Sequence, residues 1–214
     1  MKLKLLTVLL LLVMIFSMAA GCGKEKNNTI PDRTYDEGEI LAAATDLIPK
    51  TAVFNFIFWG EGIPAAEEPF TFGKYAEADG TWLEEHGFVS VSDVREKAGE
   101  VFSASMMRWI ENTVLTGVQA ENGYVSIARY LDYETEGSSY FMVNPDAKVY
   151  VTDSTEYDLD SLQVLGSKGE TVKVRLDCTV TDKESGEKKT VSLTVNLFEE
   201  EAGWRIDSTT YQSY

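Results

Sequence analysis

Of 214 residues only two are cysteine and one is histidine. Two cysteines allow at most one disulfide. A lone histidine, His86 in "LEEHGF", cannot build the usual zinc cage, which draws four ligands from cysteine, histidine and carboxylates; it reads as an ordinary surface residue. No G-x-S-x-G elbow is present to raise a nucleophilic serine. The acidic run "TDSTEYDLDS" supplies Asp153, Glu156, Asp158 and Asp160. It lacks the spacing and central glycine of an EF-hand loop and reads as a solvated turn. Basic residues are also scarce, 19 lysines and arginines against 35 acids. A chain so acidic lacks the basic footprint of a nucleic-acid binder, so nucleic acid is excluded as a partner. The same 35 acids make many accidental carboxylate pairs, so none can be singled out for glycoside chemistry.

Long apolar runs are missing too. The longest, residues 5–16, is shorter than the roughly 20 residues a transmembrane helix needs. Preceded by Lys2 and Lys4 and followed by small residues, it has the build of a secretory signal. Its end, Ala19-Ala20-Gly21-Cys22, resembles the bacterial lipobox, with Ala19 where leucine is commoner. The resemblance implies that the Cys22 thiol receives a diacylglyceryl group and that cleavage leaves Cys22 first. The alternative is a plain signal with an incidental cysteine. The chain then divides into a signal peptide (1–21), a lipidated cysteine with a flexible tether (22–36) and a single α+β domain (37–214). Two acyl chains hold a protein at a membrane where one does not. The expected location is therefore the extracytoplasmic face of the cell membrane, anchored by lipid and not spanning it. With Cys22 lipidated, Cys178 has no disulfide partner.

Without residues 1–21 the balance is 17 bases to 35 acids, a net charge of −18. Such acidity keeps an exported protein soluble and disfavours adsorption to anionic lipid or wall polymers; a cationic partner is the sharper alternative. About 180 residues follow the tether, enough for one domain with a sizeable core.

Asp36 can cap a helix whose apolar positions Ile40, Leu41, Ala44, Leu47 and Ile48 share one face. Pro49 then kinks that helix or opens a second one. Residues 65–87 carry no clear period and read as loop with a short strand or helix. A second helical region is capped by Ser90 or Ser92. Its face runs through Val94, Ala98, Val101 and Phe102, bends near residues 103–105, and continues through Met106, Trp109, Ile110 and Val114 to Gly117. From Tyr124 the period changes to two. Candidate strands cover 127–134, 140–143, 148–152 and 159–165. After them "ETVKVRLDCTV" puts Val172, Val174, Leu176, Cys178 and Val180 on one side, "TVSLTVNLF" repeats the alternation, and "GWRIDST" adds Trp204 and Ile206. Polar, glycine-bearing links join these last runs as hairpins, giving an antiparallel meander with one packed and one solvated face. Cys178 falls on the packed face and reads as a small core residue.

Helices first and an antiparallel sheet afterwards make an α+β domain with the helices packed on a curved sheet. That order, with the closing "GWRIDSTTY", resembles the NTF2-like cone fold over residues 37–214. The stretches "FWGEGIP" and "VREKAGEVFS" are similar to those of uncharacterised lipoproteins of Gram-positive gut bacteria. Some NTF2-like relatives pair an acid with a tyrosine for proton transfer. Asp132, Tyr130 and Tyr133 sit on early strands, but no motif selects them. In "FWGEGIP" the glycines allow tight turns, and Trp59 with Glu61 forms the candidate rim of a site for a sugar or peptide. The competing reading has Trp59 covering the open end of a sheet. The expected function is a non-catalytic binding module of the cell envelope, meeting an envelope protein or a cell-wall component. The alternatives are an inhibitor of a cell-wall hydrolase and a cone-pocket enzyme acting on a small molecule. No catalytic residue, metal or cofactor is assigned.

Overall fold

Asp36 starts the first helix as its sequence suggests, its Oδ1 accepting from the Glu39 amide at 2.9 Å. The computed structural model describes residues 34–116 and 128–212, which fall within one compact unit bounded by Arg33 and Tyr214. The signal segment 1–21, Cys22 and the tether up to residue 33 lie outside the described residues, as do Gly117, Tyr124 and Ile127. The tether ends earlier than expected. Tyr35 packs edge-on against Trp204 at 5.1 Å, and its hydroxyl donates to the Gly169 carbonyl, so it belongs to the domain.

Helix α1 (Glu37–Phe58) continues past Pro49 as a single element, so no second helix opens there. Pro49 is exposed, so the Thr45 carbonyl left without its amide partner is on the solvent side, where the loss is small. The helix buries Ile40, Ala44, Leu47, Ile48, Phe54, Ile57 and Phe58. By length and composition α1 could cross a membrane, yet these side chains are covered by protein.

The region read as loop contains strands β1 (Thr71–Phe72) and β2 (Tyr75–Glu77) and helix α2 (Gly80–His86). Helix α3 (Val91–Val101) is capped by Ser90 and buries Val91, Val94, Ala98 and Val101. The expected bend is a true break, because Ser103 caps a new helix, α4 (Ala104–Ile110), which passes into a π-helical turn (Glu111–Leu115). Met106, Ile110 and Val114 are buried as the period requires. Trp109 departs from it, being 44% exposed and stacked on Trp59.

Strands β3 (Tyr130–Thr135) and β4 (Ser138–Val143) complete a first antiparallel sheet in the order β1-β2-β4-β3. Residues 148–152 form no strand. The amides of Tyr150 and Val151 both turn to the Trp59 carbonyl, at 2.8 and 2.9 Å. The acidic run is likewise not a turn. It opens the long strand β5 (Ser154–Lys168), whose period of two exposes Glu156, Asp158 and Asp160 and turns Thr155, Tyr157 and Leu159 inward. Strands β6 (Thr171–Thr181), β7 (Lys188–Glu200) and β8 (Gly203–Ile206) follow in an antiparallel meander, β5-β6-β7-β8. Register shifts in β5 between Asp158 and Gln163 and between Val164 and Gly166 mark irregularities that bend the strand. Val172, Val174, Leu176, Cys178 and Val180 are each at most 1% exposed, on the packed face.

The architecture is thus α+β, with helices packed against curved antiparallel sheets, two of them rather than one. Helix α1 lies against β5 and β8, while α3 touches β3 of the first sheet and β8 of the second. Asp132 of β3 fixes α3 directly, its carboxylate accepting from the amides of Val91 (2.8 Å) and Ser92 (3.3 Å). A carboxylate there also complements the helix dipole.

Candidate functional site

The end of α1 explains the glycines of "FWGEGIP". The amides of Trp59 and Gly60 both donate to the Asn55 carbonyl, and the Gly62 amide donates to that of Phe56. A Cβ on Gly60 would sit 2.9 Å from the Phe56 backbone. Gly62 has φ +82°, and a Cβ there would meet the Arg129 guanidinium at 2.6 Å and the Tyr130 hydroxyl at 2.7 Å. Only glycine fits both demands.

Arg129 is 6% exposed and donates to the carbonyls of Phe58 (3.1 Å) and Gly60 (2.6 Å). A buried cation at a helix C-terminus satisfies carbonyls that have no intrahelical partner and meets the negative end of the dipole. Beside it, the Tyr130 hydroxyl donates to the Ile57 carbonyl at 2.6 Å and accepts from the Ile63 amide at 3.3 Å. Burial pushes this phenol up to about 12, against the opposing influence of the Arg129 charge and the Ile63 amide.

Next to this turn is a cavity of about 310 Å³ between the last turns of α1, the loop at Gly60 and Glu61, and the start of β5. That volume falls at the lower end of small-molecule sites, about 300–1,000 Å³. Phe56, Val151 and Tyr211 contribute apolar wall, and Asn55 and Thr155 also line it. Glu61 and Lys183 pair in its wall, tying the loop after α1 to the start of the β6–β7 link. Burial raises the Tyr211 phenol above its ordinary value.

Behind the cavity a chain of hydrogen bonds fixes Asn55. The Thr51 hydroxyl donates to the Ile48 carbonyl (2.6 Å), and the Thr210 hydroxyl donates to Thr51 Oγ1 (2.6 Å). The Tyr157 hydroxyl donates to the Thr210 carbonyl (2.9 Å). With those protons committed, both oxygens can only accept from Asn55 Nδ2, at 2.9 Å for Thr210 and 3.2 Å for Tyr157. The amide nitrogen is therefore fully used. Asn55 Oδ1 has no partner, and neither does Thr155 Oγ1. Both atoms are enclosed in the protein wall behind the cavity, with essentially no surface of their own open to it.

A scan of protein-family models finds no match for this chain, and a search among curated proteins finds none.

Of the two residues read as a rim, Glu61 lines the cavity and Trp59 does not. Trp59 is 3% exposed, enclosed by Phe58, Phe102, Trp109 and Tyr211. Its carbonyl, not its ring, organises the cavity wall by holding residues 150 and 151. Asp132, Tyr130 and Tyr133 do not come together. Asp132 caps α3, Tyr130 closes α1, and Tyr133 stacks with Phe70 and Phe72 on the exposed face of the first sheet. His86 stacks on Trp82 at 3.9 Å and is exposed. Among the described residues no group of three histidine, cysteine or acidic side chains could hold a metal.

Sequence reasoning missed Asn55, Thr155 and Lys183. Asn55 had a visible signal, being an amide in the apolar run "AVFNFIFW", seven residues after Ile48 and so on the same helical face. Thr155 and Lys183 had none, since their placement depends on long-range strand pairing.

Proposed function

We propose that this chain is an extracytoplasmic lipoprotein, held at the membrane by Cys22, whose NTF2-like domain is a non-catalytic binding module of the cell envelope. The observation that carries the binding reading is the cavity of about 310 Å³ at the end of α1, walled by Phe56, Val151 and Tyr211 beside the Glu61–Lys183 pair. Supporting the anchor is the order Ala19-Ala20-Gly21-Cys22 after an apolar run. Around the cavity the Tyr157 hydroxyl is committed to a structural bond and the charges of Glu61 and Lys183 to each other, an arrangement suited to holding a molecule rather than transforming it.

Two measurements test this. Mass spectrometry of the mature protein should find a diacylglyceryl-modified Cys22, and Cys22→Ser should release the protein from the membrane fraction. An unmodified chain beginning elsewhere would remove the anchor. Immobilised protein should retain a component of an envelope extract, and retention should weaken on Asn55 or Thr155 substitution. Failure to retain anything would remove the binding module.

A second reading rests on the exposed acidic row of β5, Glu156, Asp158 and Asp160. Such a row suits a cationic partner, such as the cleft of a cell-wall hydrolase that the domain would block. Retention would then fall steeply with salt and would be insensitive to the cavity substitutions.

A further inference from the structure

We infer that the cavity at the end of α1 accepts an organic ammonium, that is, a single positive charge carried on an apolar body. The inference deepens the binding-module reading and rests on it.

Two features of the wall select the class. Its apolar part, Phe56 (37% exposed), Val151 and Tyr211, suits an alkyl or aryl body, and aromatic rings attract a cation to their faces. Its charged part is Glu61, Asp153 and Lys183, two acids and one base, which leaves one negative charge in excess. An anion entering here would meet two carboxylates, and the one base of the lining is already engaged with Glu61. A neutral molecule gains nothing from the excess charge.

The protein itself places an ammonium at this wall. Lys183 Nζ pairs with Glu61, and both side chains are 52% exposed, so the pair is weakly held. A ligand ammonium can take the place of Lys183 on Glu61, and the released lysine returns to water, where most lysines reside. Lys183 is thus an internal competitor for the site. The ligand ammonium can belong to a free amine or to a lysine side chain of another protein.

The test uses the full chain purified in detergent and titrated calorimetrically, with titration into detergent alone subtracted. Phenethylamine, phenethyl alcohol and phenylacetate share one ring and differ in charge; acetyl-lysine methylamide stands for a protein-borne lysine. Saturable binding of phenethylamine is expected, about fivefold or more tighter than the alcohol, with phenylacetate weakest. Glu61→Gln should weaken the amine about fivefold, whereas Lys183→Met should strengthen it about two- to fivefold by removing the competitor. A pair that merely braced the cavity would move the affinity the same way in both variants. Alcohol or phenylacetate binding as tightly as the amine would overturn the inference. So would an amine affinity that both variants shift in one direction or leave unmoved. Binding of the capped lysine, alone or with the amine, makes a protein-borne lysine a source of the ligand; binding of phenethylamine alone restricts the ligand to free amines. If none of the four probes binds while the envelope extract still yields a retained component, the ammonium class falls and the binding module stands. If neither is seen, both fall.

Discussion

The guanidinium of Arg129 closes helix α1, donating to the Gly60 carbonyl at 2.6 Å across a turn that leaves no room for a side chain on Gly62. Two changes probe this lock from opposite sides. Arg129→Met keeps the length of the side chain but leaves the carbonyls of Phe58 and Gly60 without their donor. A cost of about 1–3 kcal/mol is expected for unsatisfied buried acceptors. Gly62→Ala forces a Cβ against the guanidinium at φ +82° and should cost about 2–4 kcal/mol from strain and overpacking together. Urea denaturation measures both. Because the residues touch, the double variant should lose less than the two losses added.

Trp59 and Glu61 are neighbours in sequence with opposite fates. Trp59→Ala empties a site enclosed by four aromatic rings and should cost about 3–5 kcal/mol. Glu61→Gln removes one partner of an ion pair whose side chains are both 52% exposed, so stability should move by less than about 1 kcal/mol. Thermal melts of the two variants check the contrast. A well-folded Trp59→Ala protein would mean that the ring is not the core residue its surroundings make it.

The meander was legible in the sequence because its period of two is strict. Val172 to Val180 alternate without a fault, and strands β6 and β7 pair through eleven consecutive residue couples. The caps were legible for a local reason, since Asp36 and Ser90 each bond an amide three residues away. What failed depended on contacts far along the chain. Residues 148–152 have strand-like composition, but the Trp59 carbonyl takes their amides. The acids after Asp153 resemble a solvated turn until pairing with β6 draws them into a strand with one wet face. Part of the candidate site was visible, as Glu61; the placement of Asn55 depends on Tyr157 and Thr210, more than 100 residues away.

Helix α3 is tied to the π-helical turn by a two-pronged ion pair. Arg95 Nε reaches Glu111 Oε2 at 2.9 Å, and Nη2 reaches Oε1 at 3.0 Å. The Arg95 hydrogen bonds hold the Glu111 carboxyl below its ordinary value, against burial, and the Thr116 hydroxyl helps. With the folded value depressed, the unfolded chain takes up the proton first as pH falls. The stabilisation is therefore complete above the ordinary carboxylate value, about 4.3, and is lost as pH drops through the lower folded one. Both side chains keep about a third or more of their surface in water, so the expected size is about 0.5–1 kcal/mol. Glu111→Gln should lose that much at pH 7 and nothing relative to the parent at pH 2, as read by urea denaturation.

Tyr130 makes the complementary prediction at alkaline pH. Burial raises its phenol to about 12, so the folded state favours the neutral hydroxyl that donates to Ile57 and accepts from Ile63. A folded value above the unfolded one gives stability that is whole below pH 10 and disappears as pH rises toward 12. At 1.36 kcal/mol per unit, the full loss is about 2–3 kcal/mol. Tyr75 and Tyr211 are also raised by burial, so the parent curve alone cannot isolate one phenol. Tyr130→Phe can. It should cost about 1–3 kcal/mol at pH 7, where the Ile63 amide loses its acceptor, and flatten the decline between pH 10 and 12. Urea midpoints for both proteins at pH 7, 10 and 11.5 give the difference. Parallel curves would show that the phenol does not titrate with folding. Converging curves would assign the alkaline loss to the residue that, with Arg129, closes α1.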